Sequence, residues 1–211
     1  GNRFVTAAKQ LVYGVIDVDK PAGPSEVMVL VDDVAYAGYA AAECWAQLEH
    51  DPDASAVCVA TSVEVAQAVQ QAAAHQFNTL KRQDILNQSK ANAMIVVLES
   101  QDDIIHCINY VASEHLVLIS DVADKLLPRI RHAGSIFCGP YTPVTLGDYS
   151  AGPNHVLPTA RTARFASPLG VMDFMKFSSH LKYSKEALNS LQADLEILTS
   201  AEGFDAHMNA V

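Results

Sequence analysis

Three observations predict an α/β fold with a largely parallel sheet flanked by helices. Short apolar runs alternate with longer segments of helical period along the 211 residues. The runs are apolar almost throughout, as in strands covered on both faces. Clusters of Gly, Pro, Asp and Ser bound them, as turns do.

The first strand is Val27–Val31, entered from Pro21-Ala22-Gly23-Pro24-Ser25 and closed by Asp32-Asp33. Ala40–His50 follows as a helix, because Ala, Cys44, Trp45 and Leu48 recur at helical spacing. Asp51-Pro52-Asp53 stops it, since the residue before a proline leaves the α region. Ser55–Ala60 reads as the second strand. Ser62–Leu80 is an Ala/Gln-rich helix with Val65, Val69 and Phe77 apolar. Ala93–Leu98 is a strand, Ser100–Tyr110 a short helix and Leu116–Ser120 a strand. Val122–Arg131 is a helix and Ser135–Cys138 a last short strand. Residues 139–170 are rich in Pro and Gly and show no period, and irregular stretches of that length are more often functional than decorative. From Met172 onward helix is expected again, with Leu188, Leu191, Leu195 and Leu198 in one stripe. The resulting divisions are 1–25, 26–169 and 170–211.

Composition narrows the class of function. With 14 Lys+Arg against 24 Asp+Glu, the formal charge is 14 − 24 = −10. Nucleic-acid binding would need clustered Lys and Arg, so none is expected. The longest apolar runs, Val27–Val31 and Ala93–Leu98, are too short to span a bilayer, and no membrane partner is expected. The N-terminus shows no secretory pattern. Cys44, Cys58, Cys107 and Cys138 form no Cys-x-x-Cys unit and read as reduced, partly buried thiols.

Several polar groups could carry chemistry. Gln47 and His50 stand at i and i+3, on one helix face, where they could share a ligand or simply form a solvated last turn. Glu114-His115 precedes a strand and offers two bases of different basicity, or an exposed turn. Asp148, between Gly147 and Tyr149, could ligate a metal, act as a base or cap its own turn. Glu202 and His207 flank Gly203-Phe204 near the C-terminus. Together Gln, two His and an Asp suit an open catalytic metal site better than a closed structural one. No Gly-x-Gly-x-x-Gly fingerprint occurs.

Pro21-Ala22-Gly23-Pro24-Ser25-Glu26-Val27, Gln47-Leu48-Glu49-His50-Asp51-Pro52 and Ser113-Glu114-His115-Leu116 resemble histidinol dehydrogenase in composition and order. So do Gly147-Asp148-Tyr149-Ser150-Ala151-Gly152-Pro153-Asn154-His155-Val156-Leu157-Pro158-Thr159 and Ala201-Glu202-Gly203-Phe204-Asp205-Ala206-His207. The resemblance runs the length of the chain but covers only the later part of the family's protein, which implies a C-terminal fragment. It implies an aldehyde-dehydrogenase-like architecture and oxidation of L-histidinol to L-histidine through the aldehyde, with two NAD and one zinc per site.

The implied zinc ligands are Gln47, His50, Asp148 and His207, which also lie against substrate. The implied bases are Glu114 and His115. Substrate contacts match Ser25, Glu202 and His115, and Asn2 falls where the family contacts NAD. On this reading 1–25 is a remnant of the NAD-side domain and 26–169 carries most of the zinc site. Residues 170–211 are then a helical element that docks on the partner in a homodimer. The implied setting is the cytoplasm, or a plastid. A reading from another class is a zinc- and ligand-binding dimeric fragment that does not turn over.

Overall fold

Five strands form one all-parallel sheet: β1 (Glu26–Val31), β2 (Ser55–Ala60), β3 (Ala93–Val97), β4 (His115–Ile119) and β5 (Ser135–Cys138). Their spatial order is β3-β2-β1-β4-β5. The computed structural model describes residues 3–211. β1 pairs with β2 from Glu26 opposite Ser55 and with β4 from Val27 opposite His115. The chain therefore winds outward over β2 and β3, then returns to build β4 and β5 on the other side of β1.

Side-chain alternation on buried strands divides the core into two layers. Val27, Val29, Val31, Cys58, Val117, Ile119 and Phe137 face α2 (Ala37–Leu48) and α3 (Val63–Phe77). Met28, Leu30, Leu116 and Leu118 face α5 (Gln101–Val111) and α6 (Ala123–Leu126) on the opposite side. Ala40 and Ala41 of α2 are fully buried, and such small side chains let the helix lie close on the sheet. Trp45 Nε1 donates to the Ala73 carbonyl at 3.0 Å, tying α2 to α3. Ser62 caps α3 by accepting from the Val65 amide at 3.2 Å. The four cysteines are free, with Cys58 buried.

Some elements differ from the sequence reading. Val122–Arg131 forms only α6 and a 3₁₀ turn at Leu127–Arg129, because Pro128 lacks an amide and its ring obstructs an α-helical turn. Residues 139–170 are not wholly irregular: α7 (Val144–Tyr149) lies within them. Helix does not start at Met172. A 3₁₀ turn at Val171–Phe174 is followed by irregular chain, and α8 (Lys185–Glu202) begins only where Ser184 accepts from the Ala187 amide. Ser178 and Ser179 compete for backbone hydrogen bonds and disfavour an earlier start. Two further helices, α1 (Arg3–Val12) and α4 (Gln83–Ser89), had no clear sequence signal.

The chain divides into a unit ending at Phe174 and a second unit, Met175–Val211. In the second, α8 ends at Gly203, whose φ of +72° suits a residue without a Cβ, and α9 (Asp205–Met208) follows. Leu191 and Leu198 of the expected stripe are exposed. Among the described residues no helix is long and apolar enough to cross a membrane.

Candidate active site

In a parallel sheet the connecting helices run back against the strands, so their C-terminal ends return to the strands' amino ends. That geometry brings the expected residues to one edge. Gln47 lies buried in the last turn of α2, and His50 follows just beyond it, before β2. The negative end of the α2 dipole therefore faces this edge, favouring a cation there. Asp51 Oδ1 accepts from the Asp53 amide at 2.9 Å and turns the chain into β2.

Ser25 stands immediately before β1, and its carbonyl accepts from the Ser55 amide at 3.1 Å. The preceding turn is fixed from outside. Thr159 is buried, and its Oγ1 accepts from the Gly23 amide at 2.6 Å. Glu114 and His115 enter β4 beside it. Their backbone is pinned by the Ser135 amide, which donates to the Glu114 carbonyl at 2.8 Å, and by Ser113 Oγ, which donates to the His115 carbonyl at 2.9 Å.

Asp148 arrives by a separate path. Glu43 of α2 caps α7 through Oε2, which accepts from the Val144 amide at 3.2 Å. α7 then crosses Phe137 at Gly147, where an added Cβ would lie 2.5 Å from the ring. Only glycine permits that approach, and the next residue, Asp148, is carried within electrostatic reach of Glu114 and His115.

The side chains of Glu114 and His115 are both buried, with Glu114 Oε2 at 3.6 Å from His115 Nδ1. Glu114 Oε2 also accepts from the Glu26 amide at 3.0 Å. Burial raises the Glu114 carboxyl to about 7, aided by the nearby charges of Glu26 and Asp148 and opposed by the Glu26 amide. Burial lowers the His115 imidazole below its usual value; Asp148 opposes this and His50 reinforces it. His115 is thus held neutral at pH 7. Neither of its ring nitrogens has a hydrogen-bond partner among the described residues, though both are buried. Such orphaned atoms in a native fold suit a group that receives a proton or a ligand. A cleft of about 710 Å³ opens at the same edge, lined by Ser25, His50 and α1.

Not every expected residue is assembled here. Glu202 closes α8 and His207 lies in α9, its ring 5.1 Å from that of Phe204, both in the second unit. Asn2 lies outside the described residues. Among those described, no three His, Cys, Asp or Glu side chains form a metal-binding group. The first unit supplies an amide, an imidazole and a carboxylate, a donor set that suits zinc but leaves a ligand to be added.

Glu26 and Thr159 escaped the sequence reading. A charged residue opening an otherwise apolar strand was the available signal for Glu26. Nothing local distinguishes Thr159, whose role appears only through contact with Gly23.

A family model described as histidinol dehydrogenase matches residues 1–211. The histidinol dehydrogenase of Bacillus cereus (strain ATCC 10987) is 45% identical over 212 residues, covering 100% of this chain and 49% of that protein. The histidinol dehydrogenase of Chlorobium chlorochromatii is 46% identical, with 100% and 50% covered. A crystal structure of histidinol dehydrogenase from Elizabethkingia anophelis matches with a TM-score of 0.93 at 33% identity, over 100% of this chain and 49% of that one. The chain spans about half the length of the curated relatives it matches. Matched from end to end in both sequence and fold, it belongs to the histidinol dehydrogenase family.

Proposed function

We propose that this chain carries the proton-transfer machinery for two successive oxidations, L-histidinol to the aldehyde and the aldehyde to L-histidine. The supporting observation is a buried imidazole with two unpartnered nitrogens beside a carboxyl raised to about 7. In the first step His115 accepts the hydroxyl proton as hydride leaves the carbinol carbon. In the second, Glu114 accepts a proton from water as the oxygen adds to the aldehyde carbon, and a second hydride leaves the hydrate. The sum is histidinol, water and two NAD giving histidine, two NADH and three protons.

When bound, NAD supplies the hydride acceptor, and zinc supplies a template and Lewis acid for the substrate's imidazole and amine. Gln47, His50, Asp148 and His207 would hold the metal. Ser25 would orient the substrate, and Glu202 would bind its ammonium or imidazole N–H through a charge-assisted hydrogen bond. Asn2 would touch NAD. A homodimer in which one protomer's second unit completes its partner's site, in a cytoplasmic setting, belongs to this proposal.

The test is NADH formation from histidinol and NAD, by this chain alone and with the part of the relatives' length it does not span. Glu114→Gln should keep the metal and impair the aldehyde step more than the alcohol step. Equal loss of both steps would overturn the division of roles. The half-length coverage favours one second reading, a fragment that binds zinc and substrate without turnover. Metal retention with no NADH in either preparation would select it.

A further inference from the structure

Cys44 and Cys58 meet where α2 packs on β2. Ala40, Ala41, Cys44 and Leu48 recur at helical spacing and form the stripe that α2 turns to the sheet. Cys58 faces the same layer from β2, in register with Val29 on one side and Ile95 on the other. Ala40, Ala41 and Ala56 are buried and offer only methyl groups at this contact, so helix and strand lie close. The two thiols come within hydrogen-bonding reach of each other. Both line a cleft of about 660 Å³ whose walls include Trp45, Val69 and Ala73. Cys58 is buried and Cys44 partly so, which makes Cys44 the more accessible of the two. Cys107 and Cys138 pack on the opposite face of the sheet.

Distance decides what chemistry such a pair suits. A disulfide needs its sulfurs about 2.05 Å apart, far closer than a hydrogen-bonded pair, so α2 would have to move towards β2. One soft atom with bonds of about 2.3 Å to each sulfur accepts them roughly 3.5–3.8 Å apart, the spacing of sulfurs in hydrogen-bonding contact. The Cys58 thiol beside it, and then burial, push the Cys44 thiol well above its usual value, so Cys44 stays protonated at neutral pH. A ligand that left a net charge in the cleft would be opposed by the same burial.

We propose that Cys44 and Cys58 are a dithiol site for a neutral trivalent arsenical, whose organic group lies in the apolar cleft against Trp45. An arsonous acid, R–As(OH)2, and the two thiols give a cyclic bis-thiolate of R–As and two waters. Two As–S bonds form, two As–O and two S–H bonds break, and the thiol protons leave in the water. Arsenic keeps its oxidation state, and the adduct carries no net charge. Cys44 forms the first bond and Cys58 closes the chelate. The site shares no residue with the proposed zinc and acid–base groups and does not depend on that reading.

The probe is phenylarsine oxide, which hydrates to the arsonous acid, titrated into the reduced 211-residue chain with glutathione in excess to strip singly bound arsenic. Trp45 is the only tryptophan in the sequence and lines the cleft, so its fluorescence reports occupancy directly. Wild type should saturate at one equivalent, and mass measurement under native conditions should show one phenylarsenic unit per chain with two protons lost. Cys44→Ser and Cys58→Ser should each weaken binding about a hundredfold or more, because one bond replaces a chelate. Cys107→Ser should titrate as wild type. Unchanged binding in Cys44→Ser, or an adduct that glutathione removes from wild type, would overturn the site. If Cys58→Ser fails to fold, Cys44→Ser alone decides it. Absence of histidinol oxidation would leave this result intact, so the two readings fail separately.

Discussion

The two edges of the sheet are both polar, yet they use polarity differently. At the carboxyl edge Ser120 is buried and donates to Asp32, and its Oγ accepts from the Val122 amide at 3.1 Å. Thr61 Oγ1 donates to the Asp32 carbonyl at 3.4 Å, and Asp33 Oδ1 accepts from the Ala35 amide at 2.7 Å. At the amino edge both His115 nitrogens and Glu26 Oε1 are buried without a hydrogen-bond partner among the described residues. Open parallel sheets generally bind ligands outside their carboxyl ends, at the point where strand order reverses. Here the corresponding point between β1 and β4 has its polar atoms engaged in turns and caps. The unengaged ones lie at the opposite end. Satisfaction of buried polar atoms separates a structural polar edge from a chemical one more sharply than residue type does.

Substitutions at the two edges test that contrast. The largest effect is expected at His50→Ala, which removes one proposed metal ligand; zinc retention after dialysis should fall about a hundredfold or more, together with activity. Unchanged zinc in this variant would dissociate His50 from any metal.

Next comes Glu114→Gln, read as stability against pH. The folded carboxyl is raised from 4.5 to about 7, so the folded state binds the proton more tightly than the unfolded one. Stability from this group is present at low pH and is lost as pH rises from about 4.5 to 7. Urea melts should show wild type and variant alike near pH 4, and the variant ahead by roughly 2–3 kcal/mol at pH 8. His115 works in the opposite sense, its lowered value costing stability as pH falls through and below the usual histidine range, but it is common to both proteins.

Gly147→Ala should cost about 1–3 kcal/mol by forcing a methyl into Phe137 and should displace Asp148. Recovery on adding Phe137→Leu would identify the contact as the cause. At the carboxyl edge, Ser120→Ala should cost about 1.5 kcal/mol in urea unfolding, because it strips a hydrogen bond from a carboxylate, while leaving turnover of the complete enzyme unchanged. The smallest stability change is expected at His115→Leu, within about 1 kcal/mol of wild type, since no hydrogen bond to the ring is lost among the described residues. A large loss there, or none at Ser120, would reverse the contrast between the edges.

Much of this was legible in the sequence. Continuous apolar runs located all five strands; in the central ones residues such as Val29 and Leu118 are enclosed on both faces and every position carries the signal, whereas the edge strand β3 is apolar yet largely exposed. Short, exposed elements were not legible. α1 has no fully buried residue, and α7 takes its direction from Glu43 and Phe137, each distant in sequence. For the site, motif order brought out Ser25, Glu114, His115 and Asp148, whereas the role of Glu26 depends on strand register, which no local pattern encodes. The charge on Glu114 depends on the same neighbours.

Return of the chain to the amino edge through α2 and α7 also predicts an asymmetry in tolerance to insertions. Segments leaving the strands' far ends, such as 139–143, can lengthen with little consequence so long as the helices after them re-enter the same grooves on the sheet. Segments 49–54 and 112–114 have no such slack: one extra residue there would rotate or shift a reactive side chain while the β-ladder stayed intact. Scanning single-residue insertions through both sets of connections would map the chemistry as a ring of intolerance on one side of the molecule.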